Sequence, residues 1–156
     1  MKTKAWIVAS LTVLCGMAVL VARAQSTAKG APPAWKPFTP PPSVTIQEEV
    51  KSPPAGWTVA RDDAPHILAG ITFFDGPPAE MGALKYNTEK KVGSKLVLTW
   101  ILDPETPRGS WIRCHYAGTN AVLDQQLPRG ASAARVTLDT ESHVDGYEQI
   151  VSIELK

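Results

Sequence analysis

Cys114 and His115 are the first residues in this 156-residue chain that suggest chemistry. A thiol beside an imidazole is a nucleophile beside its general base, and the pair must be within hydrogen-bond reach to react. Both residues stand in a stretch, Ser110 to Tyr116, in which Ile112, Cys114 and Tyr116 alternate with Trp111, Arg113 and His115. Successive side chains of a strand point to opposite faces, so the thiol and the neighbouring imidazole point apart. A dyad would need His66 or His143 brought to Cys114 by the fold, and no catalytic residue is assigned. The outward row is a different matter. Trp111, Arg113 and His115 are the candidate binding residues, because aromatics and arginine are enriched at the centres of protein interfaces. An indole, a guanidinium and an imidazole on one face could hold a peptide edge, a glycan ring or an acidic loop. The competing arrangement packs Trp111 under a loop or a second layer and leaves the other two solvated.

Other candidate chemistry is thinner. Metal sites need clustered ligands at short spacing, and Asp62-Asp63 followed by His66 is a close grouping of acids with an imidazole. It reads as a solvated loop flanked by Pro65, so no metal ligand is assigned. Glu48-Glu49 would point apart on a strand and more plausibly blunt a sheet edge. Glycines 109, 118, 130 and 146 stand singly in turns and cradle no phosphate. Lys85, Lys90, Lys91 and Lys95 form a solubilising cluster, and no cofactor is expected.

The elements that must position these residues are short strands. Val44 and Ile46 alternate with polar neighbours, Trp57 and Val59 follow a Pro-Pro-Ala-Gly turn, and Ile67 to Phe74 is rich in β-branched and aromatic residues. Asp75-Gly76-Pro77-Pro78 is a turn, and a strand is expected to begin near Ala83. Leu96 to Leu102 is apolar on both faces and should be central. Asp103 to Gly109 then turns into Ser110 to Tyr116, which is expected to pair antiparallel with Leu96 to Leu102 as a hairpin. Ala121 to Leu127 is a strand or a short helix. Ala134, Val136 and Leu138 alternate with Arg135, Thr137 and Asp139. Asp139 to Gly146 reads as a polar turn, and Tyr147, Gln149, Val151, Ile153 and Leu155 mark one face of a last strand. The expected fold is mainly β, a single antiparallel sheet or two-layer sandwich of seven to nine strands.

The N-terminus sets the expected compartment. Lys2 and Lys4 precede an uncharged, mostly apolar run from Ala5 to Ala22, and Ala22-Arg23-Ala24 has the form of a cleavage site. A cleavable signal peptide over residues 1–24 is expected. The alternative of a membrane anchor is disfavoured by the alanines and the cleavage-like end, and lipidation at Cys15 by Leu14 before it. No stable span is expected after cleavage. Residues 25–42 read as a flexible proline-rich linker, in which Trp35 and Phe38 could dock on a partner or on the domain itself, with untethered aromatics the equal alternative. Residues 43–156 read as the β-rich domain.

Cleavage would remove 24 residues and leave 132, with three of the 16 Lys and Arg lost and none of the 15 acids, a formal charge of −2. Without a basic excess no nucleic-acid partner is expected. Only Cys114 would remain, so no internal disulfide is possible; the lone thiol is either a buried small hydrophobe or an intermolecular cross-linker. Stability would come from burial, with Trp57, Trp100 and Trp111 contributing.

Trp111-x-x-Cys114-x-Tyr116-x-x-Thr119, followed by Leu123 and Leu127-Pro128 and preceded by Gly56-Trp57 and Phe74-Asp75-Gly76-Pro77, resembles an uncharacterised family of small exported proteins of Gram-negative bacteria. The resemblance covers roughly Val44 to Leu155 and implies a periplasmic location but no activity. It also implies further cysteines, near the domain start, after Leu-Pro and at the C-terminus, and this chain has none at those places. The leading expectation is a non-catalytic periplasmic protein that binds a protein or an envelope component, in its sharpest form an inhibitor or immunity protein against a cell-wall-degrading enzyme. A small periplasmic hydrolase and a passive envelope component are the alternatives.

Overall fold

The alternation in Ser110–Tyr116 becomes strand β6, and every second side chain along it is buried. The computed structural model describes residues 34–60 and 64–156, so the leader, its cleavage site and the Asp62-Asp63 pair lie outside the described residues. Two antiparallel sheets form the domain. One has the order β1-β9-β8-β5-β4, from Lys36–Pro37 (β1), Tyr147–Leu155 (β9), Ala133–Val144 (β8), Lys95–Ile101 (β5) and Thr88–Val92 (β4). The other has the order β2-β3-β6-β7, from Ser43–Val44 (β2), His66–Asp75 (β3), β6 and Val122–Gln126 (β7).

The inner faces meet in one core. Phe73, Ile112, Cys114 and Tyr116 come from the four-stranded sheet, and Trp100, Ala134, Val136, Ile153 and Leu155 from the five-stranded one. The Phe73 and Trp100 rings pack across the layers with centroids 4.9 Å apart, a tilted arrangement that suits the ring quadrupoles. Polar atoms carried inward find partners: Trp100 Nε1 donates to the Leu84 carbonyl at 3.2 Å and the Tyr116 hydroxyl to the Pro41 carbonyl at 3.1 Å. The expected mainly β fold is thus adopted in its two-layer form.

Several expected elements differ. β5 does have a neighbour on each side, but they are β4 and β8, while β6 lies between β3 and β7. The expected hairpin of β5 and β6 is therefore not formed. Asp103 to Gly109 instead carries the chain from one sheet to the other. The reason is burial: Leu98 and Trp100 on β5 and Ile112, Cys114 and Tyr116 on β6 are apolar sets that cover each other when stacked, and would lie side by side uncovered when paired.

The polar turn expected over Asp139 to Gly146 is also shorter, because β8 continues to Val144. Asp145 and Gly146 alone make the turn, with φ of 51° and 82°. Two successive positive φ values give the type I′ geometry that matches strand twist, and Asp-Gly is a favoured pair for it. In β9 the register skips Val151, since Thr137 pairs with Ser152 and Leu138 with Ile150. This bulge switches the strand's phase, so Ile150, Ile153 and Leu155 face the core while Tyr147 and Val151 are exposed.

Trp57 and Val59 form no strand and Trp57 adds nothing to the core. Glu48 and Glu49 likewise lie outside any strand, and Ala83 makes only an isolated bridge to Phe74. Within the stretch read as a linker, Ala34 to Pro42 lies along the domain. β1 pairs with β9, Phe38 packs on the core, and the Arg135 guanidinium stands over the Trp35 ring at 4.4 Å.

Candidate functional site

β6 presents Trp111, Arg113 and His115 on the outer face of the four-stranded sheet, half-buried and in register. Phe74, Thr72 and Gly70 of β3 stand opposite them on one side, and Gln126, Asp124 and Val122 of β7 on the other. The fold thus brings the three sequence-derived residues together on one face.

Each is already engaged. Arg113 meets Asp124 fork to fork, with Nε donating to Oδ1 at 2.7 Å and Nη2 to Oδ2 at 2.8 Å. Its guanidinium also lies 5.4 Å from the centre of the Phe74 ring, which is 5% exposed although it points to the outer face. The hydrogen bonds from Arg113 hold the Asp124 carboxyl below the usual carboxylate range. His115 shares a hydrogen bond with the Thr72 hydroxyl at 3.1 Å, and burial, followed by the charge of Arg113, lowers its pKa. The imidazole is therefore neutral at pH 7. Trp111 Nε1 donates to the Arg108 carbonyl at 3.3 Å.

The consequence is electrostatic. With Arg113 matched by Asp124 and His115 neutral, the row carries no net charge. Its means of recognition are shape, apolar contact and oriented polar edges, and its side chains are fixed in advance by neighbours. Sequence reasoning missed this internal matching, because Asp124 lies on the next strand and faces Arg113 only once the register is set.

Two further features were missed. Arg108 clamps the start of β6, donating from Nη2 to Asp75 at 2.6 Å and from Nη1 to Glu80 at 2.9 Å, while the Thr106 hydroxyl donates to the same Asp75 at 3.1 Å. Residues so far apart in the chain give no sequence signal of this cluster. The other is the exposure of Trp57, for which the signal was the Pro-Pro-Ala-Gly turn before it, since a turn tip is seldom covered.

Cys114 faces the core, 3% exposed, and burial pushes its thiol up to about 11. His66 donates from Nδ1 to the Ala117 carbonyl at 2.8 Å, which ties the start of β3 to the turn after β6. Lys95 pairs with Asp139 at 2.7 Å, and Lys90 and Lys91 lie on the edge strand β4. Among the described residues no group of three or more His, Cys, Asp or Glu is placed to hold a metal ion, and no helix is long and apolar enough to cross a membrane.

Residues 62–151, more than half of the chain, match the family model described as Type VI secretion system Tli immunity protein. The chain belongs to this family. The Tli match takes in β3 through most of β9 and so contains the whole outer row. The chain is also 27% identical over 108 residues to an uncharacterized 16.3 kDa protein in the trpG 5'region of Azospirillum brasilense, covering 65% of this chain and 71% of that one. No solved structure matches. Tli membership bears out the expected small bacterial family, and it fits the expected non-catalytic inhibitor or immunity protein.

Proposed function

We propose that this protein binds and silences a protein effector of a Type VI secretion system in the periplasm, with the outer face of β3, β6 and β7 as its contact surface. Tli membership supports the immunity role, and the leader-like pattern of residues 2–24 supports export. The observation that carries the choice of surface is the fixed, charge-matched row of Trp111, Arg113 and His115. Side chains ordered before contact lose little rotamer freedom on binding, so more of the contact energy becomes affinity. An immunity protein stationed in the periplasm guards against an enzyme that acts there, and a cell-wall-degrading enzyme is the target class we assign.

The role needs no reaction on this chain. A thiol held up to about 11 is protonated at neutral pH and is neither a nucleophile nor a metal ligand.

The test uses, as the candidate toxin, the product of each effector gene that flanks the gene for this chain. The exported chain should restore growth to cells making that toxin in the periplasm, and the two purified proteins should bind in calorimetric titration. Trp111→Ala with Arg113→Ala should weaken binding by at least about tenfold. Lys91→Ala on the far edge should leave it unchanged, and thermal melting checks that each variant is folded. Neither protection nor binding by the unaltered chain would overturn the immunity reading. Binding that survives the double substitution would remove the surface from it.

A further inference from the structure

A sheet ends in strands whose outward amides and carbonyls have no neighbour, and such an edge is a template for another chain unless short length, proline or charge blunts it. The two sheets end in β1 and β4 and in β2 and β7. β1 and β2 are two residues each, in a run with prolines at 37, 40, 41 and 42, and β4 carries Glu89, Lys90 and Lys91. β7 has none of these devices. Its five residues hold no proline and no lysine, and its one charge, Asp124, is already matched by Arg113.

The β6–β7 register decides which backbone groups of β7 point outward. The Leu127 amide donates to the Ser110 carbonyl at 2.9 Å, so Ser110 and Leu127 are a hydrogen-bonded pair. Such pairs alternate with unbonded ones along an antiparallel ladder. Ile112–Gln125 and Cys114–Leu123 are therefore bonded pairs, and Trp111–Gln126, Arg113–Asp124 and His115–Val122 are not. The amides and carbonyls of Val122, Asp124 and Gln126 face the free edge, and among the described residues nothing bonds to them. Leu123 adds a second need. It shares the face of Cys114, which is 3% exposed, yet is itself 43% exposed, so the five-stranded sheet stops short of this edge and leaves an inward-phase apolar side chain uncovered.

We propose that the effector adds an extended segment of its own to the free edge of β7, continuing the β2-β3-β6-β7 sheet by one strand. This rests on the immunity reading above. A row of alternating donors and acceptors is matched by another backbone in extended form, and not by a bilayer or a glycan, so the edge selects a polypeptide. The side chains of Val122, Asp124 and Gln126 belong to the face proposed as the contact surface while their amides point off its rim, so one partner can cover both. Alternate side chains of the added strand supply specificity. The segment needs an apolar residue beside Leu123 and no acid facing Asp124. A second copy of this chain fits less well. Antiparallel self-pairing over all five residues centres on Asp124 and sets it directly opposite its counterpart, where like charges destabilise.

Val122→Pro tests the edge, because it removes an outward amide that the domain does not use and places a ring where the added strand would lie. Parent and variant are titrated calorimetrically against the purified toxins of the test above. Amide hydrogen exchange of the parent is followed residue by residue by NMR with and without toxin, and the parent alone is sedimented. The expected result is a loss of affinity of at least about tenfold in the variant. In the parent complex exchange should slow at Val122, Asp124 and Gln126, whose amides are open in the chain alone, while Leu123 and Gln125 are protected in both states. If the variant melts early, the exchange pattern of the parent decides. Unchanged exchange at the three outward amides in a complex that forms overturns strand addition and leaves the immunity reading standing, as does parent-like affinity of a folded variant. A parent that binds none of the toxins overturns both. Protection of the same three amides in the chain alone, with sedimentation as a dimer, overturns the occupant in favour of a second copy.

Discussion

Cys114 lies between Ile71 of β3 and Leu123 of β7, facing the core, and burial together with the Asp124 charge pushes its thiol up to about 11. At pH 7 that leaves about one thiolate in ten thousand, and only the thiolate reacts. A thiol reagent should therefore label the folded protein orders of magnitude more slowly than the protein in urea, following the absorbance of the released chromophore. Comparable rates in both states would mean that β6 opens readily and that cross-linking through Cys114 is accessible. Strand period made this legible, because Cys114 shares its phase with Ile112 and Tyr116. The state of Arg113 was not legible, since the side chain that neutralises it is 11 positions away and on another strand. A face read as aromatic and basic is thus aromatic and neutral, a change that only the β6–β7 register could reveal.

β7 shows what an element depends on when it buries nothing. All five of its residues are exposed, it is the edge of its sheet, and it pairs with β6 alone. The Arg113–Asp124 bridge is therefore a large share of what fixes it. A carboxyl whose pKa is lower in the folded than in the unfolded state adds stability that is complete above the unfolded value and is lost as pH falls through the folded one. Asp124 is such a group, lowered by its hydrogen bonds from Arg113. Asp124→Asn should cost about 1 kcal/mol at pH 7, and the gap to the parent should close as pH falls below the ordinary aspartate range and through the lowered folded value. Urea unfolding at a series of pH values measures it. A gap independent of pH would mean that the carboxylate's charge is not what holds β7. Elements of this kind were only partly readable. Segments rich in β-branched and aromatic residues, such as Ile67 to Phe74, matched their strands. The pairing of β5 with β8 rather than β6 depends on which apolar faces stack, and the skipped residue Val151 reverses phase with no local signal.

At the scale of the whole molecule, the two sheets are joined at one edge by Lys36 to Val44. β1 adds to β9 and β2 to β3, so this short stretch passes from one layer to the other. Its prolines suit the position, because an edge strand leaves some amides without a required partner and proline has none to offer. Those that do donate are used: the Phe38 amide reaches the Ile153 carbonyl at 2.8 Å. Leu68 and Tyr116 in turn donate to the carbonyls of Pro42 and Pro41 at 2.9 and 3.1 Å. The sequence reading put the domain start at residue 43, since proline content marks extended chain equally well in a free linker and in a docked one. Trp35 and Phe38 separate the two cases. A chain beginning at Ser43 loses the Phe38 packing, the Arg135–Trp35 stack and the acceptor for Tyr116, and should be less stable than one beginning at Gln25 by about 2–4 kcal/mol. Urea midpoints of the two chains give the difference. Equal midpoints would make residues 34–42 a spacer that merely touches the domain, whereas the expected loss makes them the strap that holds its layers in register.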